Sequence, residues 1–142
     1  MELIGGATSK KQTKAEKANK EFESVINAIR LWSPARRRNS EGEYKIELRK
    51  YLESNSFSLN EEYGESNFDL LVNKKYAIEI KKDPNLSEYD RLFGQLARHL
   101  QHQLNILALI IDVPSEDKFE NFVSLVDAYL NREEKVVEVI KK

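Results

Sequence analysis

Cysteine is absent from all 142 residues. That excludes disulfides, thiolate zinc sites and iron–sulfur clusters, and it suits a reducing compartment. Long apolar runs are absent too. The longest, 106–111, is far too short to span a bilayer. The opening Met1-Glu2-Leu3-Ile4-Gly5-Gly6 has no basic stretch followed by an apolar one, so no secretory signal is expected. Only two histidines occur, His99 and His102. Their i, i+3 spacing permits a transition-metal site, but no third ligand accompanies them. Charge of one sign does not dominate either, the formal net charge being −1. The expectation is a soluble, cytoplasmic protein.

What is present suits a folded domain. A chain of 142 residues can bury a real core, and 40% hydrophobic with 33% charged residues is a globular balance. The charge is unevenly spread. Residues 1–38 hold nine Lys or Arg against four Glu, a net of +5, which leaves −6 for the remainder. A basic arm on an acidic body fits a nucleic-acid partner, with Arg36, Arg37 and Arg38 as phosphate contacts; a solubilising tail is the competing reading. Residues 1–19 are poor in apolar groups and are expected to be a flexible basic tail or a frayed helix start. Residues 20–142 are expected to form one domain.

Periodicity sets the elements. Phe22, Val25, Ile26, Ile29 and Trp32 recur at helical spacing, and Pro34 ends that helix. A second helix is expected over about 41–53, with Tyr44, Leu48, Tyr51 and Leu52 inward. Strands are expected over 58–63, 68–73 and 76–81, the last two joined by a tight turn around Lys74-Lys75. Ser87 with Asp90 resembles a capping box opening a helix to about residue 103, with Tyr89, Leu92, Phe93, Leu96, Leu100 and Leu104 inward. Residues 105–113 read as a strand covered on both faces. A helix after Pro114-Ser115 carries Phe119, Phe122, Val123, Val126, Tyr129 and Leu130 inward, and a strand over 136–140 ends the chain. The sum is an α/β protein with a central mixed β-sheet flanked by helices.

Three charged residues interrupt the strand pattern. Glu79 and Lys81 are two apart and therefore share a face. Asp69 lies on the preceding strand and falls opposite Glu79 or one residue off. Two carboxylates drawn together are costly unless a positive charge joins them. Mg²⁺ (or Mn²⁺) suits that role, because it takes oxygen ligands and keeps several waters; Asp69, Glu79 and the Ile80 carbonyl could ligate it. Lys81 then stands where an ammonium can stabilise developing negative charge. A solvated strand edge would carry the same residues without this chemistry.

Asp69 on the second strand, Glu79-Ile80-Lys81 on the third, and the order helix, three strands, helix, strand together resemble the PD-(D/E)xK nuclease superfamily, the restriction-endonuclease-like fold. The likeness covers 41–113, about half the chain, with an extra N-terminal helix outside this αβββαβ core. Phe68-Asp69 stands where the family has Pro-Asp, so Phe replaces Pro. The resemblance implies a Mg²⁺-dependent endo- or exodeoxyribonuclease in which Asp69, Glu79 and Lys81 act on a phosphodiester. It also implies that a Glu on the preceding helix, here Glu47, reaches the metal. Gln95-Leu96-Ala97-Arg98-His99 looks like the Gln-x3-Tyr motif of the exonuclease branch, with His in the Tyr position. Gln95 would then join the catalytic group, and Arg91, Arg98, His99 and His102 would face phosphates; a solvated helix flank is the plainer reading of these residues. DNA is expected as substrate ahead of RNA. Family members that cut both strands often form homodimers, although no dimer seam is visible in this sequence. The alternatives are a non-catalytic nucleic-acid-binding or interaction module on the same fold, and an unrelated α/β domain with a surface charge cluster.

Overall fold

The structure is a computed structural model, and it describes residues 14–61, 69–102, 105–132 and 136–142. Its elements run α1 (Lys14–Leu31), α2 (Glu41–Ser54), β1 (Leu59–Glu61), β2 (Leu70–Val72), β3 (Tyr76–Lys82), α3 (Leu86–His99), β4 (Asn105–Ile111), α4 (Glu116–Tyr129) and β5 (Val136–Lys141). The strands form one sheet in the order β1-β2-β3-β4-β5. Pairing is antiparallel from β1 to β3 and parallel from β3 to β5, so the sheet is mixed. Helices cover both faces.

Residue alternation explains the layers. On β3, Tyr76, Ile78 and Ile80 point to the face covered by α1 and α2, where they meet Ile29, Leu48 and Leu52. Ala77 points to the opposite face, where Ile106, Ala108 and Ile110 of β4 pack beneath α3 and α4. β4 is buried along all seven residues, as a central parallel strand covered on both sides requires. Glu79 and Lys81 share the Ala77 face, and Glu79 meets α3 at His99.

Several boundaries differ from the sequence reading. α1 begins at Lys14, inside the stretch expected to be tail, because its Lys, Glu and Ala favour a helix even without an apolar stripe. Residues 1–13 lie outside the described residues. The capping box of α3 is Asn85 with Glu88, two residues before the expected Ser87, and the helix stops at His99 rather than near 103. Leu104, like Tyr63 and Phe68, lies outside the described residues. Tyr129, expected inward, is 63% exposed on the last turn of α4. The β2–β3 turn places Asn73 (φ 52°) and Lys74 (φ 60°) in the left-handed region, with the Lys75 N–H donating to the Val72 carbonyl at 2.9 Å. That is a type I′ turn, whose twist suits a hairpin. Among the described residues no helix is long and apolar enough to cross a membrane.

Candidate active site

β2 begins at Leu70, so Asp69 stands one residue outside the ladder. The register Leu70↔Ile78, carried one step further, sets Asp69 across from Glu79. Its carboxylate takes the place of a strand partner: Oδ2 accepts the Ile80 N–H at 2.7 Å. The N–H and carbonyl of one strand residue point to the same side. The Ile80 carbonyl therefore points to the same side of β3 as Asp69.

Glu79 is 4% exposed, the one buried carboxylate among the described residues. Its register partner on β4 is Ala108, and Ala77 is its neighbour on the same face of β3. These small side chains leave room for it, and α3 closes over it with His99. His99 Nε2 lies 3.1 Å from Glu79 Oε1, and His99 is itself buried. An ionised Glu79 accepts this bond, which calls for the tautomer with hydrogen on Nε2.

The two acids disturb each other. Burial, reinforced by the charge of Glu79 and a hydrogen bond between the two side chains, pushes the Asp69 carboxyl up to about 6. The Ile80 N–H and the charge of Lys45 pull it the other way. Such a pair is short of positive charge. A divalent cation that prefers oxygen ligands fits this donor set of two carboxylates and one outward carbonyl. Among the described residues no three His, Asp or Glu side chains gather as a full protein ligand set.

Lys81 is half-buried two residues beyond Glu79 and, among the described residues, makes no hydrogen bond or ion pair. Its ammonium is therefore uncommitted. Gln95 lies one helical turn before His99, and its Oε1 is buried without a partner. Helix α3 runs back against β3 in the crossover, so Gln95 stands on the Lys81 side of Glu79. On the same helix Tyr89 packs on Phe122 of α4, with ring centroids 5.1 Å apart. At 3.6 residues per turn, the flank of Arg91, Gln95 and Arg98 is turned away from α4, toward the β2 side where Asp69 lies. Arg91, Arg98 and His102 are exposed, and neither arginine makes an ion pair among the described residues.

Three sequence expectations are corrected here. Glu47 does not come to the acidic pair. Its carboxylate accepts the Ala35 N–H at 2.7 Å and pairs with Arg38 at 2.8 Å, because the segment before α2 folds back over that side of the helix. Arg38 is accordingly committed to Glu47 and mostly covered, and Arg37 Nε lies 3.6 Å from Asp112; of the three arginines at 36–38, only Arg36 is both exposed and without an ion pair among the described residues. His99, expected at the phosphate-facing surface, is buried against Glu79.

Two residues were not foreseen. Glu41 Oε2 accepts the Lys82 N–H at 3.1 Å, so Glu41 is the α2 carboxylate that reaches the C-terminal end of β3. Lys45, one turn along, is near enough for its charge to act on Asp69. Nothing in the sequence separates Glu41 from Glu43 and Glu47 beside it.

A groove of about 570 Å³ lies between α3 and α4 and is lined by Leu86, Tyr89, Phe93, Phe122 and Leu125. It is on the far side of α3 from Glu79 and is mainly apolar, so volume does not mark the chemistry here. Set against family models, curated proteins and solved structures, the chain matches none of them.

Proposed function

We propose that this chain is a metal-dependent nuclease of the PD-(D/E)xK type that hydrolyses phosphodiester bonds in DNA. One observation carries the reading: Asp69 and Glu79 face each other at the end of the β2–β3 hairpin, with Lys81, which makes no ion pair among the described residues, two residues on. The element order α2-β1-β2-β3-α3-β4 supports a restriction-endonuclease-like core around them.

In this reading Asp69, Glu79 and the Ile80 carbonyl hold Mg²⁺ or Mn²⁺. The ion, when bound, supplies a Lewis acid and a water of lowered pKa. The chain's own residues do the rest. Glu79 is fixed by His99, and Asp69 by the Ile80 N–H, so neither carboxylate has to be reorganised when substrate arrives. Lys81 is placed to neutralise charge that develops on a phosphate oxygen. Arg91 and Arg98 line the exposed flank of α3 on the same side and can hold flanking phosphates without reading bases. Contacts of that kind suit cutting directed by DNA structure or ends rather than by sequence.

The test is a cleavage panel of single-stranded, double-stranded, nicked and branched DNA, with matching RNA, in Mg²⁺ or Mn²⁺. Divalent-dependent cleavage that Asp69→Ala and Glu79→Ala abolish is the expected result. Wild-type protein that binds DNA but cuts no member of the panel would leave a non-catalytic binding module as the better reading.

A further inference from the structure

We infer that His99 is a positioning residue, which holds the carboxylate of Glu79 in one orientation from the last turn of α3. The inference rests on the nuclease reading for its kinetic consequence, but not for its structural one.

A glutamate has three side-chain torsions, and nothing in β3 itself selects among them. Glu79 therefore needs an outside group to fix it. The contact that does so joins two buried side chains, 10% and 5% exposed, at 3.1 Å. Both ends are rigidly mounted. Glu79 is in the centre of the sheet, between β2 and β4. His99 is carried by a helix whose start is fixed by the Asn85–Glu88 capping box and whose body is anchored by Leu92 and Leu96. An imidazole has only two side-chain torsions and donates at a fixed distance from its helix. A lysine reaching the same oxygen would be a mobile point charge. Oε1 is thereby engaged.

The position of His99 separates it from the phosphate-facing residues. Arg91, Arg98 and His102 are exposed, whereas His99 is turned inward from them. Its role toward substrate is therefore indirect. Groups that orient a metal-binding carboxylate in this way typically affect metal affinity or activity by about 10–100-fold when removed.

Two variants and two kinds of measurement test this. His99→Leu fills the space and removes the donor; His99→Gln keeps an N–H donor of similar reach. Mn²⁺ calorimetry and steady-state cleavage are run on both. The expected result is that His99→Leu weakens Mn²⁺ binding and lowers kcat, each by roughly 10–100-fold, with KM for DNA little changed, and that His99→Gln recovers most of the loss. A raised KM with Mn²⁺ affinity intact would make His99 a phosphate contact and overturn the proposal. Loss of Mn²⁺ binding in both variants to the level of Glu79→Ala would make it a metal ligand, and would overturn it equally. Nitrogen NMR of the imidazole gives an answer even if the wild type neither binds metal nor cuts. The Nε2–H tautomer should dominate in the wild type and lose its preference in Glu79→Ala. A tautomer unaffected by that change would refute the contact, whereas failure of the nuclease reading alone would leave it standing.

Discussion

Asp69 Oδ2 accepts the backbone N–H of Ile80 at 2.7 Å, one position past the point where the β2 ladder stops. The carboxylate thus completes the sheet and, at the same time, faces Glu79. Burial first, then the Glu79 charge, raises its pKa from 3.8 to about 6. A folded-state value above the unfolded one means that folded protein binds the proton more tightly. Metal-free protein should therefore lose stability as pH rises through the window from about 4 to 6, and carry the full penalty above it. Asp69→Asn keeps an acceptor for the Ile80 N–H and removes the charge. After discounting for coupling and partial exposure, it should stabilise the protein at pH 7.5 by on the order of 1–2 kcal/mol. Thermal melts without metal should show a Tm higher by roughly 3–6 °C and a flatter pH dependence. Equal melting of the two proteins across that window would show that Asp69 is not strained by Glu79. Mn²⁺ should stabilise the wild type at pH 7.5 and leave Asp69→Asn nearly unmoved.

Lys81 and the acids should separate by what they lose. Asp69→Ala or Glu79→Ala removes a ligand, so metal affinity and cleavage should fall together. Lys81→Ala removes a positive charge from beside the cation. Metal affinity should persist or rise, while turnover falls by on the order of a hundredfold. Calorimetry beside a cleavage assay measures both. Wild-type turnover in Lys81→Ala would remove Lys81 from the catalytic group.

The hairpin that aligns Asp69 with Glu79 carries a local cost. Lys74 has φ 60° in the type I′ turn, where a Cβ is disfavoured. Asn73 tolerates the same region and needs no change. Lys74→Gly should stabilise the protein by about 0.5–1 kcal/mol, the relief of the left-handed strain exceeding the entropy lost by glycine. Urea unfolding that shows an unchanged or lower midpoint would mean that the Lys74 side chain compensates by contacts of its own.

Alternation made much of this site legible. Ala77, Glu79 and Lys81 alternate with Ile78 and Ile80, and one tight turn returns the chain to Asp69, so period two and a short hairpin suffice to set Asp69 across from Glu79. β4 was equally readable, because a strand buried on both faces has no polar interruption. Tertiary relationships were not. The contact of His99 with Glu79 depends on how α3 is rotated when it crosses back over the sheet, and a period of 3.6 shows a helix its apolar face without saying which strand lies under each flank. Glu47 bordered the apolar stripe of α2 as expected, but the path of residues 33–38 decides its partner, and that path has no periodicity. The start of α1 at Lys14 falls within the frayed helix start allowed for residues 1–19, where propensity, rather than an apolar stripe, extends the helix.

Arginine pairing within the fold predicts where DNA should be felt. Arg38 is tied to Glu47 at 2.8 Å, while Arg91 and Arg98 are exposed on α3 and unpaired among the described residues. An arginine already neutralised by a carboxylate releases few counterions from DNA; a free one releases close to its full share. The salt dependence of binding should therefore be carried by α3. Replacing both Arg91 and Arg98 by Ala should reduce the magnitude of the slope of log K against log salt by roughly 1.8, at about 0.9 per phosphate on B-form DNA. Arg38→Ala should leave that slope nearly unchanged. It should instead destabilise the fold by about 1 kcal/mol, because Glu47 loses a half-buried partner. Fluorescence anisotropy over a salt series, in the absence of divalent ions so that no cleavage intervenes, gives the slopes, and thermal melts give the stability. The reverse pattern, a slope flattened by Arg38→Ala and indifferent to Arg91 and Arg98, would move the DNA-binding face from α3 to the segment that precedes α2.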